Sequence, residues 1–318
     1  MDNFFRNAIL KFNEQLTPMA LEYSHLNKLS GLKPDAIIVV GMGGSGQIGD
    51  LLAGLAAELK IPVPIITWKS YGLPKLTFKN PLYLFVSFSG DTEETLSGFS
   101  QAKDKAVICS GGALERLAEK TKTPLAIFCG DHLAPRQAGG YMFYGAIKIL
   151  KAVFKKIPVS EFTGLKPSAL ENTGQKIARH LTKKLILLYT DNTNDFLAYN
   201  WKTRLNETAK RFAFANTIPE MGHNEIVPFG KGGRDSIAVF LADPNAHPRV
   251  QKKIRLLEKL FKKQRIQSLK IVLFGKTRLE KTWKSLILAD WVSYHLAKLN
   301  KVNPLEIKLI DRLKELMR

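Results

Sequence analysis

A carboxylate, an imidazole and a guanidinium stand apart from the many charged residues of this chain because of the stretches that carry them. Glu207 lies in a helical stretch, NWKTRLNETAKRF, that also holds Trp201, Leu205 and Phe212. Partial desolvation among such neighbours would raise a carboxyl toward the range of a working base. The plain alternative is a solvated carboxylate paired with Lys210 or Arg211, three and four residues further on. His223 falls in a Gly222-His223-Asn224-Glu225 turn, where an imidazole can transfer protons near neutral pH. The Glu220-x-x-His223 spacing also suits a metal, but it occurs once, follows Pro219 and has no partner motif. Arg136 precedes two glycines in PRQAGG, placing an always-charged guanidinium on a loop; its alternative is one of 48 basic residues on a surface. Together they supply the parts of acid–base chemistry: an acid, a base and something to stabilise an oxyanion.

Two glycine-containing loops offer the binding energy. Residues 36–50 read AIIVVGMGGSGQIGD, with Gly41-x-Gly43-x-x-Gly46 after an apolar β-branched run. A strand, a glycine turn and a helix start form an anion site for any phosphate. A dinucleotide would need an acidic residue at the end of the second strand. That strand ends IITWKSYG, so Thr67, Trp68 and Lys69 stand there instead; Lys69 leaves room for the extra phosphate of NADP. At the end of the third strand, VSFSGDTEET places Ser87, Ser89 and Thr92 around Gly90. Three hydroxyls and free helix N–H groups suit one phosphate, in the position where open α/β sheets bind ligands. The alternative is that Ser89, Asp91 and Thr92 cap a helix, with Glu93 or Glu94 completing the arrangement.

The elements that must hold these residues follow from hydrophobic periodicity. In the first half, AIIVV (36–40), PIIT (64–67), LYLFVS (82–87), AVIC (106–109) and LAIF (125–128) read as buried strands. Helices are expected near 46–60, 92–102, 112–121 and 137–156, after an N-terminal helix. The second half repeats the alternation, with strands at 185–190, 236–241 and 270–274 and helices near 196–212, 246–266 and 278–299. The fold class is α/β, two domains each built on a parallel sheet flanked by helices on both faces. The expected division is 1–156 and 157–318, joined through KKIPVSEFTGLKPSAL, where Ser168 can cap a new helix. After its first strand the second half has TDNTND in place of a glycine-rich loop.

Composition bounds the rest. The chain has 318 residues, 45% hydrophobic and 24% charged, as in an ordinary globular protein. No uncharged apolar run reaches eighteen residues and the N-terminus lacks a signal-peptide layout, so a cytoplasmic protein without a membrane partner is expected. Cys109 and Cys129 sit in apolar runs, as structural thiols do. The formal charge of +20 would attract phosphates, nucleic acid or acidic surfaces. Much of it falls on amphipathic helices such as RVQKKIRLLEKLFKKQR, which reads as solvated outer faces rather than a nucleic-acid interface.

Taken together, GMGGSG and SFSGDT resemble the sugar isomerase (SIS) domain, a five-stranded parallel sheet with flanking helices that binds phosphosugars. The resemblance implies that Gly43, Gly44 and Ser45 lie beside the sugar and that Ser87, Ser89 and Thr92 hold its phosphate. Further along, Asn206-Glu207-Thr208-Ala209-Lys210 and Pro219-Glu220-Met221-Gly222-His223-Asn224-Glu225 resemble the N-E-x-A-K and P-E-x-x-H-N-E motifs of the bifunctional phosphoglucose/phosphomannose isomerase family. The resemblance runs from about Ile37 to the C-terminus. It implies tandem SIS domains and an aldose–ketose isomerase that needs no cofactor or metal. By that similarity Glu207 is the base moving a proton between sugar carbons 1 and 2. His223 assists ring opening and reaches the site of a neighbouring subunit in a homodimer. Arg136, in a PRQAGGY that matches P-R-x-A-x-G-Y, stabilises the enediolate. Lys314, in VNPLEIKLIDRLKEL, matches a lysine near the ring oxygen, although Asn303 and Leu305 replace the family's usual Asp and small hydroxyl residue there. Two other function classes stay open: a non-catalytic phosphosugar sensor that docks on an acidic partner or nucleic acid, and an NADP enzyme.

Overall fold

A computed structural model describes residues 2–17, 20–131, 133–158, 164–230 and 232–317. Residues 159–163 of the expected linker lie outside these. The chain opens on α1 (Asp2–Leu10) and then divides into two compact units, Leu10–Leu165 and Met1–Ile9 with Lys166–Arg318. That division differs from the expected 1–156 and 157–318, because α1 groups with the second unit. Arg6 forms a two-pronged ion pair with Glu171, at 2.9 and 2.7 Å, and Phe5 stacks on Tyr294.

The N-terminal unit runs β1 (Glu22–Ser24), β2 (Ala36–Val40), α2 (Gly43–Leu55), β3 (Ile65–Trp68), β4 (Pro81–Ser87), α3 (Glu93–Ser97), β5 (Lys105–Cys109), α4 (Gly112–Thr121), β6 (Leu125–Ile127) and α5 (Gly139–Val153). Among the described residues its sheet has the order β1-β6-β5-β4-β2-β3. All neighbours are parallel except β1, an antiparallel edge with Tyr23 opposite Ala126. Every residue of β2 is buried, as a strand covered on both faces requires. Ile38, Val40, Val107 and Cys109 pack with Phe99, Leu114 and Ala118 from the α3–α4 side. Val39 lies against α2 at Gly49, and Ile108 and Ala126 lie against α5 at Gly145, on the opposite face. Burial pushes the Cys109 thiol up to about 11, so it stays a protonated core residue.

The C-terminal unit continues with α6 (Glu171–Leu181), β7 (Leu185–Asp191), α7 (Asp195–Glu207), β8 (Ala213–Ile218), β9 (Ser236–Ala242), α8 (Pro248–Lys263), β10 (Gln267–Val272), α9 (Arg278–Leu299) and α10 (Lys308–Met317). Among the described residues the sheet is parallel, in the order β10-β9-β7-β8. Tyr189, Phe240, Ile254, Leu257 and Phe261 form the core beneath α8. On α7, Trp201 Nε1 donates to Ser285 of α9 at 3.0 Å, and Arg204 pairs with Asp290 of α9 at 2.8 Å, both side chains 4% exposed. Among the described residues no helix is long and apolar enough to cross a membrane.

In this unit the crevice between the ends of β7 and β9 is filled by polar groups that satisfy one another. Asp191 accepts from the Thr193 N–H and from Asn194 Nδ2. Asp243 accepts from Lys281 Nζ at 2.6 Å, from the Asn245 N–H and from Asn194. Burial alone would push the Asp243 carboxyl up; the bonds from Lys281, Asn245 and Asn194 overcome this and hold it below the ordinary Asp value. Two buried carboxylates here disfavour a phosphate, which accounts for the absence of a glycine-rich loop in TDNTND.

Removing one partner of a buried ion pair strands the other charge, so Lys281→Met is expected to cost about 3–5 kcal/mol in urea unfolding at pH 7. The depressed carboxyl stabilises the fold above the ordinary Asp value of about 3.9, and that contribution is lost as pH falls through the folded-state value. The difference between wild type and variant should therefore shrink below about pH 4; a gap independent of pH would contradict the account.

Candidate active site

At the C-terminal ends of β2, β4 and β5 the backbone segments approach so closely that only glycine fits. A Cβ on Gly41 would lie 2.6 Å from the Val86 carbonyl oxygen, and one on Gly46 would lie 2.4 Å from that of Gly41. Gly90, at φ +71°, would meet the Gly111 oxygen at 1.8 Å, and Gly112, at φ +79°, the Ser89 oxygen at 2.3 Å. Gly43 also has a positive φ, +49°, but its missing side chain would point into open space. The Gly41-x-Gly43-x-x-Gly46 spacing is thus a packing requirement at both ends and a conformational one in the middle.

The hydroxyls sit on this scaffold. Ser45, buried at the start of α2, accepts from the Phe88 N–H at 3.0 Å and lies 3.5 Å from Met142 Sδ, so it ties the β2 loop to the β4 loop. Ser87 Oγ accepts from the Gly90 N–H at 3.0 Å and shares a 2.9 Å hydrogen bond with Thr92. Ser89 is exposed and accepts from the Asp91 N–H. Thr92 occupies the first capping position of α3 without making a side-chain cap, and Asp91 accepts instead from the Ala113 N–H of α4 at 2.8 Å. The helix-cap alternative for Ser89 and Thr92 is therefore not what the structure shows. Their hydroxyls organise a turn around Gly90, with Ser89 and Thr92 at its accessible side.

Arg136 is on a short 3-10 helix, Pro135–Gln137, and is 5% exposed. Its Cα lies 3.3 Å from where a Cβ on Gly44 would be, with the Pro135 oxygen at 3.4 Å. The structure thus brings Gly43, Gly44, Ser45, Ser87, Ser89, Thr92 and Arg136 together at the C-terminal strand ends of one sheet. It also removes an alternative: Lys69 Nζ is held by Asp50 Oδ2 at 2.5 Å beside α2, so it is not poised for the second phosphate of NADP.

The C-terminal unit separates its candidates. Glu207 is the last residue of α7 and half-buried. The loop beyond it is fixed by Lys210, at φ +53°, whose Nζ donates to the carbonyl oxygens of Glu207 at 2.7 Å and Asn303 at 2.6 Å. Asn206 Nδ2 donates to the Arg211 oxygen, and Arg211 in turn reaches the Lys184 oxygen just ahead of β7. Lys210 and Arg211 therefore hold backbone. His223, exposed, follows β8 at the C-terminal end of the strand, on a 3-10 turn (Glu220–His223) whose Met221 is buried. Beside it Glu220 accepts from Asn224 Nδ2, and Glu225 accepts from Tyr189 Oη and Asn216 Nδ2. At about 3.3 Å per residue, β8 spans roughly 17 Å, with Glu207 ahead of its start and His223 beyond its end. One chain does not bring the two together within this unit. Lys314 lies on α10, every described residue of which is exposed.

Residues 170–317 match the family model of the bacterial phospho-glucose isomerase C-terminal SIS domain. A bifunctional phosphoglucose/phosphomannose isomerase of Thermoplasma acidophilum is 30% identical over 98% of this chain and 98% of its own. The chain belongs to the bifunctional phosphoglucose/phosphomannose isomerase family. A second member, from Caldicellulosiruptor bescii, is 31% identical over 88% of each chain. Among solved structures, the C-terminal domain of glucosamine-fructose-6-phosphate aminotransferase from Francisella tularensis superposes with a TM-score of 0.66 at 13% identity, over 95% of this chain and 98% of that one. That likeness establishes the SIS-type fold.

Around this cluster, two residues that the sequence does not single out are Ser110, whose Oγ donates to the Phe88 oxygen at 2.6 Å, and Gln15, which bonds the backbone that follows Arg136, at Gln137 and Gly140. The small-residue run Ser110-Gly111-Gly112 at the end of β5 was the available signal for the first.

Gly90→Ala is expected to destabilise the N-terminal unit by more than about 2 kcal/mol, since it combines a left-handed φ with an overlap on backbone. Gly43→Ala, with the φ penalty alone, should cost only about 1 kcal/mol. Thermal unfolding of both variants checks the ranking, and equal costs would contradict it.

Proposed function

We propose that the protein interconverts glucose 6-phosphate and fructose 6-phosphate and also takes mannose 6-phosphate, as a homodimer in the cytoplasm. What carries the reading is the full-length relationship to bifunctional phosphoglucose/phosphomannose isomerases at 30% and 31% identity. The sensor alternative is not favoured by relatives that are enzymes.

The chemistry explains the residues. Aldose–ketose isomerisation removes a weakly acidic C–H proton beside a carbonyl and returns a proton to the adjacent carbon. One carboxylate, Glu207, can do both, giving a cis-enediol(ate) in between. Gly43, Gly44 and Ser45 lie beside the sugar, and the turn of Ser87, Ser89 and Thr92 takes the phosphate. That remote group supplies binding energy for positioning the reacting carbons. Arg136, a buried and permanent cation, stabilises the enediolate oxygen, where water exclusion makes a fixed charge most effective. His223 opens the sugar ring and Lys314 steadies its oxygen. The placement of Glu207 ahead of β8 and of His223 beyond it, at opposite ends of the strands, supports a site that takes His223 from a second copy.

Glu207→Gln is expected to lower kcat about 10²–10⁴-fold with KM for fructose 6-phosphate little changed, followed by separate assays for glucose 6-phosphate and mannose 6-phosphate. Normal turnover would remove Glu207 as the base. Mixing the inactive Glu207→Gln and His223→Ala proteins should restore about a quarter of wild-type activity, because half the random dimers then hold one intact site. No recovery after verified subunit exchange would show that each chain supplies its own histidine.

A further inference from the structure

We infer that Gln15, which precedes every strand of the N-terminal unit, is a positioning residue for Arg136: its side-chain amide fixes the height of the Arg136 loop against the sugar loop. This rests on the role given to Arg136 above. Gln15 lies on a short 3-10 helix, Phe12–Leu16, anchored by buried Phe12 and Leu16 and by Asn13 Nδ2 donating to the Leu165 oxygen at 2.7 Å. It is 2% exposed. Its Nε2 donates to the Gln137 carbonyl oxygen at 2.8 Å, and its Oε1 accepts the Gly140 N–H at 3.1 Å. One amide thus holds the backbone directly after Arg136 and the first turn of α5, whose early N–H groups have no partner within the helix.

The surrounding residues leave the amide little freedom. A Cβ on Gly140 would lie 2.6 Å from Gln15 Cβ, so glycine at 140 lets Gln15 come in. Gln137 Oε1 accepts from the Ala134 N–H and closes the loop on its other side. The opposite face of the loop rests on Gly44, 3.3 Å from the Arg136 Cα position. Arg136 is therefore held between the glycines of the β2 loop and a glutamine more than 120 residues away in sequence. A displacement of about 1 Å in such a group costs on the order of 10²-fold in rate.

Three variants test this: Gln15→Met, which keeps the length but neither hydrogen bond; Gln15→Glu, which keeps only the acceptor; and Gly140→Ala, which displaces the side chain. Arg136→Gln is the reference. Each is assayed for kcat and KM with fructose 6-phosphate, and for inhibition by a five-carbon aldonate 5-phosphate, whose carboxylate stands in for the enediolate oxygens. The expected result is a 10–100-fold fall in kcat for Gln15→Met, KM changed by less than about threefold, and an inhibition constant that rises relative to KM. Gln15→Glu and Gly140→Ala should shift that ratio in the same direction. A purely structural glutamine would lower the yield of folded protein and the unfolding temperature while leaving the ratio at the wild-type value in all three, and that result would overturn the inference. Should Gln15→Met fail to fold, the other two decide. Unchanged kcat in Arg136→Gln would instead sink the role of Arg136 itself.

Discussion

The N-terminal unit depends on backbone meeting backbone at the ends of three parallel strands. Carbonyl oxygens of Gly41, Val86, Ser89 and Gly111 occupy the space where side chains at Gly46, Gly41, Gly112 and Gly90 would stand. That contact lets the β2, β4 and β5 loops share a single patch, and it leaves their N–H groups and hydroxyls as the chemistry of the patch. Phosphate recognition at such a place uses the strand ends of an open sheet at the point where chain order reverses. Here that point lies between β2 and β4, where Ser45 ties the two loops together.

The C-terminal unit has the corresponding reversal between β7 and β9 and uses it differently. Asp191, Asn194, Asp243 and Lys281 close the crevice with a network in which each charge has a partner. Freed from binding phosphate, this unit carries its functional candidates elsewhere: Glu207 at the far end of α7, and His223 beyond β8. Each is held from behind. The buried Arg204–Asp290 pair, with Arg204 also bonded to Asn200, fixes the turn of α7 before Glu207. Tyr189 and Asn216 hold Glu225, two residues from His223.

Much of this was legible in the sequence where a single physical requirement dominates a stretch. The apolar runs at 36–40 and 236–241 announce strands buried on both faces, and the glycine spacing announces a tight turn. Edge elements were not legible. β8 reads AFANTI, with Phe214 facing solvent and only its ends buried, so no strand is expected there from hydrophobic pattern, and the helix expected to run to 212 ends at Glu207. β10 begins three residues before the expected KIVLF, and Phe274 lies past its end, about half exposed. The three-residue β1 carries too little pattern to be read. The residues that set the site's geometry were hidden for another reason. Gln15 is one of three successive polar residues, Asn13-Glu14-Gln15, with nothing local to single it out, and Arg204 is one charge among many until Asp290, 86 positions on, is placed beside it. Neighbours so distant in sequence leave no local signature.

The central claim is that Glu207 moves the proton between carbons 1 and 2. Its most direct test is NMR of fructose 6-phosphate in D2O with wild type and Glu207→Gln, following deuterium entering at carbon 1 of the ketose and carbon 2 of the aldose. A base that exchanges its proton with solvent during the enediol lifetime predicts incorporation with wild type and none with the variant, though the variant still binds the sugar phosphate. Deuterium entering at undiminished rate in Glu207→Gln would assign the proton transfer to another group and contradict the account.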